Sequence, residues 1–222
     1  WVEGVDSFWS ESDTSEWNVF MSTVLCESNS KRIEESLIDS ANQSRYEPMI
    51  KVMDTLFSFE DMHNTSLRYM LYHRVWPAHS REFVIMTSCM SIQDLYDRSW
   101  ISEEHFSSYA HPSKTYVTVN ASADEFADIL GVSGVIADLN RPYESQCLRA
   151  HLYMSCTVVE YLDETSSKMS LLVHTDPKGD MIPSVMNTML GVSIPNIVLK
   201  MKLTSEGDID DSTPVRHVAT SF

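Results

Sequence analysis

The stretch from His174 to Lys202, HTDPKGDMIPSVMNTMLGVSIPNIVLKMK, constrains this chain more than any other. It opens on Asp176-Pro177-Lys178-Gly179, a cluster that punctuates a strand end. Pro183 then stands where a first helical residue is tolerated, because its missing N–H would be unpaired there in any case. Beyond it Val185, Met186, Met189, Leu190, Ile194, Ile197, Val198 and Met201 recur at spacings of three and four. That is one broad apolar face of a helix. Pro195 lies inside the pattern and predicts a kink or break near Ser193. The segment is about long enough to cross a bilayer. Pro183, Pro195, Asn187 and Asn196 argue against a span. Such a helix must lie against apolar surface, either as a plain core helix or as one that lids a cavity.

What precedes it reads mostly as strands. Val5–Trp9 is a short apolar piece, and Trp17–Glu27 reads as a strand. Asn29-Ser30 caps a helix beginning near Lys31, with Ile33, Leu37, Ile38 and Ala41 on its apolar face and an end by Asn42. Strands are expected over Ile50–Phe59, Ser66–Trp76, Glu82–Ile92, Lys114–Ala121, Cys147–Leu162 and Lys168–Thr175. Gln93–Ser113 reads as a polar loop, and Ser122–Gln146 as a long connection with an apolar patch. No β-α-β alternation appears, so the expected class is α+β: one antiparallel sheet of at least seven strands closed by the C-terminal helix. Residues 1–204 are expected to form the domain and 205–222 a flexible acidic tail.

Charge bounds the partners. The chain carries 32 acidic against 16 basic residues, a formal net charge of −16, with no basic run. That disfavours nucleic acid, whose affinity rests on Lys and Arg at phosphates, and electrostatic docking on anionic membranes. The four cysteines, Cys26, Cys89, Cys147 and Cys156, show no C-x-x-C spacing; free thiols in a reducing, cytoplasmic setting are expected, with no metal and no cofactor. Trp1 is not a natural start, so a fragment of a longer protein is expected. Thirteen methionines suit irregular apolar space, whether a soft core or a cavity for a flexible ligand.

Three pieces together resemble the START domain, the lipid-transfer family related to steroidogenic acute regulatory protein. Arg45-Tyr46-Glu47-Pro48-Met49 is similar to the family's Trp-Asp motif after the first internal helix. Arg74-Val75-Trp76-Pro77 through Arg81-Glu82-Phe83-Val84 is similar to its W-P-x-x-x-R-D-F-V run. Asp176-Pro177-Lys178-Gly179, Ile182-Pro183, Met186-Asn187 and Pro195-Asn196 resemble its D-x-x-G signature and kinked lid helix, and Cys147-Leu148-Arg149-Ala150 fits the strand that opens V/I-R-A. The resemblance spans about residues 17–203, nearest to members of the ceramide-transfer and phosphatidylcholine-transfer type. It implies a helix-grip fold, a curved antiparallel sheet around the C-terminal helix, with one lipid in the tunnel between. The family's first helix is missing before Val5. The Ser122–Gln146 connection is longer than usual and is expected to act as an enlarged gate.

Strand parity gives an inward face. It groups Arg68, Met70 and Tyr72; Phe83, Ile85 and Thr87; Thr118 and Asn120; and Arg149, His151 and Tyr153. Under the resemblance, Arg68 and Thr87 stand where steroid-binding members carry an acid–arginine pair, so a phospholipid or ceramide-like sphingolipid is favoured over a sterol. Glu47 and Asn120 match head-binding residues of the ceramide-transfer type. Glu47, Phe83 and Tyr153 match part of a choline-binding set, with Met70 in place of the third aromatic. Arg68 is either a lipid ligand or half of an internal ion pair, and Arg81 and Glu82 are expected to pair structurally. The expected lipid-binding set is Glu47, Arg68, Met70, Phe83, Thr87, Asn120, Arg149, Tyr153, Met186, Met189 and Leu190. Trp76, Phe126, Ile129 and Leu130 are expected at the membrane-docking gate. The function expected is a non-catalytic, monomeric carrier of one lipid with transient membrane contact. A lipid-sensing regulatory domain and a thioesterase-like enzyme are the alternatives. No Ser/His/Asp or Cys/His pair stands out for catalysis.

Overall fold

The computed structural model describes residues 2–59, 64–74, 79–129, 131–138 and 147–207. Nine strands are β1 Val5–Ser10, β2 Val19–Cys26, β3 Ile50–Phe59, β4 Thr65–Tyr72, β5 Arg81–Ser91, β6 Tyr116–Ser122, β7 Leu148–Arg149, β8 His151–Tyr161 and β9 Ser167–Asp176. Six helices are α1 Ser30–Ile38, α2 Ser40–Tyr46, α3 Ile92–Asp97, α4 Glu103–Ser107, α5 Ser133–Asp138 and α6 Pro183–Glu206. The strands form one sheet in the order β1-β2-β9-β8-β6-β5-β4-β3, antiparallel throughout this path. The short β7 alone runs parallel, beside β5. This is the expected α+β helix-grip arrangement, with α6 across one face of a large antiparallel sheet.

The two faces of the sheet carry different loads. Successive residues of a strand point to opposite faces, so β4 contributes Met70 and Tyr72 inward and Leu67, Tyr69 and Leu71 outward. All of β4 from Thr65 to Leu71 is buried, because both faces are covered there. Outside, Leu67, Tyr69, Leu71 and Val84 are capped by Ala123, Ala127, Val132 and Ile136 from the 122–138 connection. That connection therefore lies on the convex face.

Inside, α6 is anchored by its C-terminal half. Ile194, Val198 and Met201 are buried with Val5, Phe20, Val24, Ile33, Leu37 and Met169 in the largest apolar cluster. Each such side chain stabilises by roughly 1.5–3 kcal/mol on burial. Gly191 faces β2, where a Cβ would meet the Phe20 ring at an ordinary contact distance of 3.5 Å. Asn187 accepts from the backbone N–H of Asn18 at 3.1 Å and tethers the first turns of the helix to the entry of β2. The helix stays continuous through Pro195, so the expected break does not occur. The Asn196 side chain donates to the carbonyl of Val192 at 2.7 Å, next to the Gly191 carbonyl whose donor Pro195 removes. The helix runs to Glu206, two residues beyond the expected boundary at 204, and closes on Gly207 in the left-handed conformation (φ 82°). Residues 208–222 of the expected tail lie outside the described residues.

Other boundaries moved for local reasons. Asn29 caps α1 as expected by accepting from the N–H of Arg32 at 2.9 Å. The helical region does not end by Asn42, because α2 restarts at Ser40 and carries the chain to Tyr46. Within the expected polar loop, Ser91 and Asp94 make a reciprocal cap that starts α3.

Arg81 and Glu82 do not pair with each other, since neighbours in a strand face opposite ways. Arg81, inward, donates from Nε to the carbonyl of Pro177 at 2.6 Å and from Nη2 to that of Lys178 at 3.2 Å, pinning the β9–α6 turn. Glu82, outward and buried, accepts from Tyr69 Oη at 2.9 Å and from Arg149 Nε and Nη2 at 3.0 Å. This buried ion pair clips β7 onto β5. Removing one partner leaves the other charge uncompensated. Glu82→Leu is expected to lower stability by about 3–5 kcal/mol in urea unfolding, and Arg149→Met added to it to recover part of that loss.

Candidate functional site

A cavity of about 330 Å³ lies between the inner face of the sheet and α6, far above the ~10–15 Å³ that one water needs. The sheet supplies Met70 and Tyr72 from β4, Phe83, Ile85 and Thr87 from β5, and Thr118 and Asn120 from β6. Leu152, Ser155 and Thr157 enter from β8, and Leu171 and Val173 from β9. The helix supplies Met186, Met189, Leu190, Ile194 and Ile197. Gln43, Tyr46 and Glu47 close one side, and His73, His79, Pro177 and Met181 stand at another. Six lining residues are methionines (Met49, Met70, Met181, Met186, Met189 and Met201), so much of this wall can reshape itself around a flexible guest.

Of the expected site residues, Glu47, Met70, Phe83, Thr87, Asn120, Met186, Met189 and Leu190 are brought together on this wall. Arg68, Arg149 and Tyr153 are not. The cause for the last two is a β-bulge. His151 and Leu152 pair with Asp176 and Thr175, but Met154 is the next residue to pair, with His174, so Tyr153 is extra. The bulge shifts parity by one. Leu152, Ser155 and Thr157 therefore face the cavity. Tyr153 instead stacks on His174 with ring centroids 4.4 Å apart, and His151 meets Glu125 at 3.4 Å. Arg149 is held by Glu82 on the outside. Arg68 keeps the inward parity but lies beyond the cavity, under the end of α1.

The expected gate is displaced as well. Phe126 is half-buried and Ile129 is 84% exposed, and neither lines the cavity, because the segment that carries them is packed on the convex face. Trp76 and Leu130 lie outside the described residues. Near the mouth, beside Met181, two apolar residues are exposed instead: Ile182 at 64% and Val185 at 49%. In the sequence Val185 reads as an ordinary member of the helical face and Ile182 as part of the turn before it. Sequence reasoning missed Leu152 because nothing in the sequence marks the bulge, whereas Ser155 and Thr157 lie on the alternation expected from Tyr153 and belong to no motif.

Polar groups on the wall form two stations. The first crosses the sheet floor, where register places Thr87 beside Asn120 and Asn120 beside Ser155. Thr87 Oγ1 donates to Asn120 Oδ1 at 2.8 Å, which leaves the Asn120 amide N–H groups for another partner. The second is Glu47, just after α2. Burial pushes its carboxyl up from the ordinary 4.5 to about 7, against the opposing pulls of the Met49 backbone N–H and the Lys200 charge. Burial in turn pulls Lys200 below its ordinary value. Tyr72, packed edge-on against Phe83 at 5.5 Å, is held well above its ordinary range by burial and by the nearby Glu47. A carboxyl in this setting accepts or donates a hydrogen bond according to its proton.

A curved sheet gripping one long helix around a lined cavity defines the class: a helix-grip domain with room for one apolar guest. Residues 128–206 match the family model described as the START domain. The fold of the chain is that of StAR-related lipid transfer proteins. Human STARD10 superposes with a TM-score of 0.69 at 12% identity, over 92% of this chain and 70% of that one. Human StAR-related lipid transfer protein 5 does so at 0.68 and 10% identity, over 93% and 84%. The human StarD13 (DLC2) lipid transfer and protein localization domain gives 0.66 and 12% identity, over 91% and 84%. No curated protein matches the sequence. Among the described residues no helix is long and apolar enough to cross a membrane.

The raised Glu47 carboxyl has a signed consequence. The folded protein holds this proton up to about pH 7, whereas the unfolded chain releases it near the ordinary 4.5. Stability is therefore greatest below the unfolded value and falls as pH rises through the folded one. Glu47→Gln is expected to flatten that fall. Its unfolding midpoint should match wild type in acid and exceed it at about pH 8 by on the order of 2 kcal/mol. Urea titrations at several pH values measure this.

Proposed function

We propose that the domain holds one lipid in this cavity and carries it between membranes, without catalysis. The observation that carries the reading is the cavity itself: about 330 Å³ between the sheet and α6, with a surface that is mainly apolar and polar side chains set among it. Each buried CH₂ of an acyl chain contributes about 0.8 kcal/mol, so a two-chain lipid has ample driving force.

The polar stations favour a phospholipid or ceramide-like head. Glu47 and the free amide N–H groups of Asn120 offer an acceptor and donors on separate parts of the wall, more than the single hydroxyl of a sterol requires. Arg68, which stands at the position of a steroid-binding acid under the family resemblance, lies off the wall. Ile182 and Val185, exposed beside the mouth, supply an apolar contact for a membrane surface and suit brief, uncharged docking at a formal net charge of −16. The non-catalytic reading rests on the floor hydroxyls: Thr87 donates to an amide oxygen and not to a base. Action as a monomer in the cytoplasm completes the reading.

Native mass spectrometry after incubation with a mixed phospholipid, sphingolipid and sterol extract tests it. A one-to-one phospholipid or sphingolipid adduct is the expected result, and Leu190→Trp, which fills the cavity from the helix, should abolish it. An empty protein overturns the carrier reading, and a sterol adduct overturns the head-group choice. Glu47→Ala and Asn120→Leu are expected to shift which head is retained, each reducing transfer of the preferred lipid between vesicles by roughly tenfold.

A further inference from the structure

Arg68 is 5% exposed, and its charge has no carboxylate ion-pair partner among the described residues. Two of its three nitrogens are occupied. Nε donates to Ser66 Oγ at 2.9 Å, and Nη2 donates to the carbonyl of Ile38, the last residue of α1, also at 2.9 Å. Nη1 is buried and has no hydrogen-bond partner. Asp39 and Tyr46 act on the guanidinium only through space. An isolated buried cation with an unmade hydrogen bond is among the costlier arrangements a fold can keep.

Arg68 lines a second cavity, of about 280 Å³, separate from the first. Besides Arg68 its lining is Thr55, Ser58, Asn64, Thr65 and Ser66, with Ile38 and Phe59 as its apolar members and no acidic residue among the described ones. The register explains the cluster. Thr55 pairs with Arg68 and Ser58 with Ser66, so all four side chains share the inner face at the open end of β3 and β4. A register shift between Thr55 and Phe57 keeps both β3 hydroxyls on that face. Thr65 Oγ1 is engaged with Ser88 Oγ, whereas Thr55 and Ser58 stand exposed at the rim. A positive charge at the base, hydroxyl donors around it and no carboxylate among the described residues of the wall form a receptor for an oxyanion.

We infer that this second pocket binds a phosphate-type anion, with the Arg68 guanidinium supplying the charge and the hydroxyls of Thr55, Ser58 and Ser66 as donors. The chain is acidic overall, with 32 acidic residues against 16 basic ones, and yet this cation has no carboxylate partner among the described residues. Such an arrangement keeps a place for an anion from outside. The anion arrives either free in solution or presented on a lipid head at a membrane. The inference is independent of what the larger cavity holds.

The test follows the Arg68 guanidinium N–H signals of ¹⁵N-labelled protein by NMR while inorganic phosphate is added, with sodium chloride matching the ionic strength. A saturable shift of the Arg68 signals is expected, together with a phosphate-dependent rise in thermal midpoint. Arg68→Met should remove the rise. If that variant fails to fold, Thr55→Val with Ser58→Ala, both at the exposed rim, should weaken phosphate binding by roughly tenfold while leaving the fold intact. A parallel arm measures flotation with vesicles containing phosphatidic acid. Arg68-dependent flotation without a response to free phosphate assigns the anion to a membrane, and the reverse assigns it to solution. Absence of both responses in folded wild-type protein, or equal responses in the rim variant, overturns the site.

Discussion

The grip of α6 on the concave face is the contact on which the rest of this structure depends. Its C-terminal half meets strands and α1 in a filled core around Ile194, Val198 and Met201, while its N-terminal half spans a void. The two halves share one continuous helix despite Pro195. The anchored half fixes where the spanning half lies, and the spanning half makes the cavity. A helix with apolar residues on most of its surface is what this division requires, since one end buries them in protein and the other presents them to an empty space.

Side chains that line a cavity make fewer dispersion contacts than those of a packed core. The densest packing lies elsewhere, above all in β4, which is covered on both faces. The same economy explains where polarity sits. Glu82, Tyr69 and Arg149 satisfy one another on the convex side. On the concave side Glu47 is, among the described residues, the carboxylate pushed well up by burial, and its proton answers to pH in the neutral range. A group so placed destabilises the ionised form of the empty protein, and a guest that bonds to it returns the lost solvation.

Periodicity and turn chemistry made most of this legible. Ile50–Phe59 was bounded by the sequence as the structure bounds it, because Pro48 and a polar turn flank an uninterrupted β pattern. The α6 start at Pro183 and the cap at Asn29 were equally readable. The motif pieces placed Glu47, Phe83 and the inner face of α6 on one wall. What failed was parity across Tyr153. A single bulged residue reverses every inward assignment on one side of it, and Tyr153 differs in no local property from its neighbours. Arg68 failed differently. Its parity held, but how far a cavity extends along a strand is set by the elements packed over it, here the end of α1.

The 122–138 connection shows how one misplaced segment changes the mechanics. Its apolar residues alternate between exposed and buried, and nothing in that pattern says which face of the sheet receives them. Packed on Leu67, Tyr69, Leu71 and Val84, they brace the convex side. The far end of α6 is locked in the core, and the β9–α6 turn is tied to β5 through Arg81. The structure that remains least held over the cavity is the first turns of α6, from Ile182 to Leu190, fastened chiefly by Asn187 to the entry of β2. Two hydrogen bonds from one amide are a light restraint beside a filled core. If a guest enters, the lowest-cost route is to part this end of the helix from the sheet, where Ile182 and Val185 already face outward. The element that grips at one end would thus serve as the door at the other.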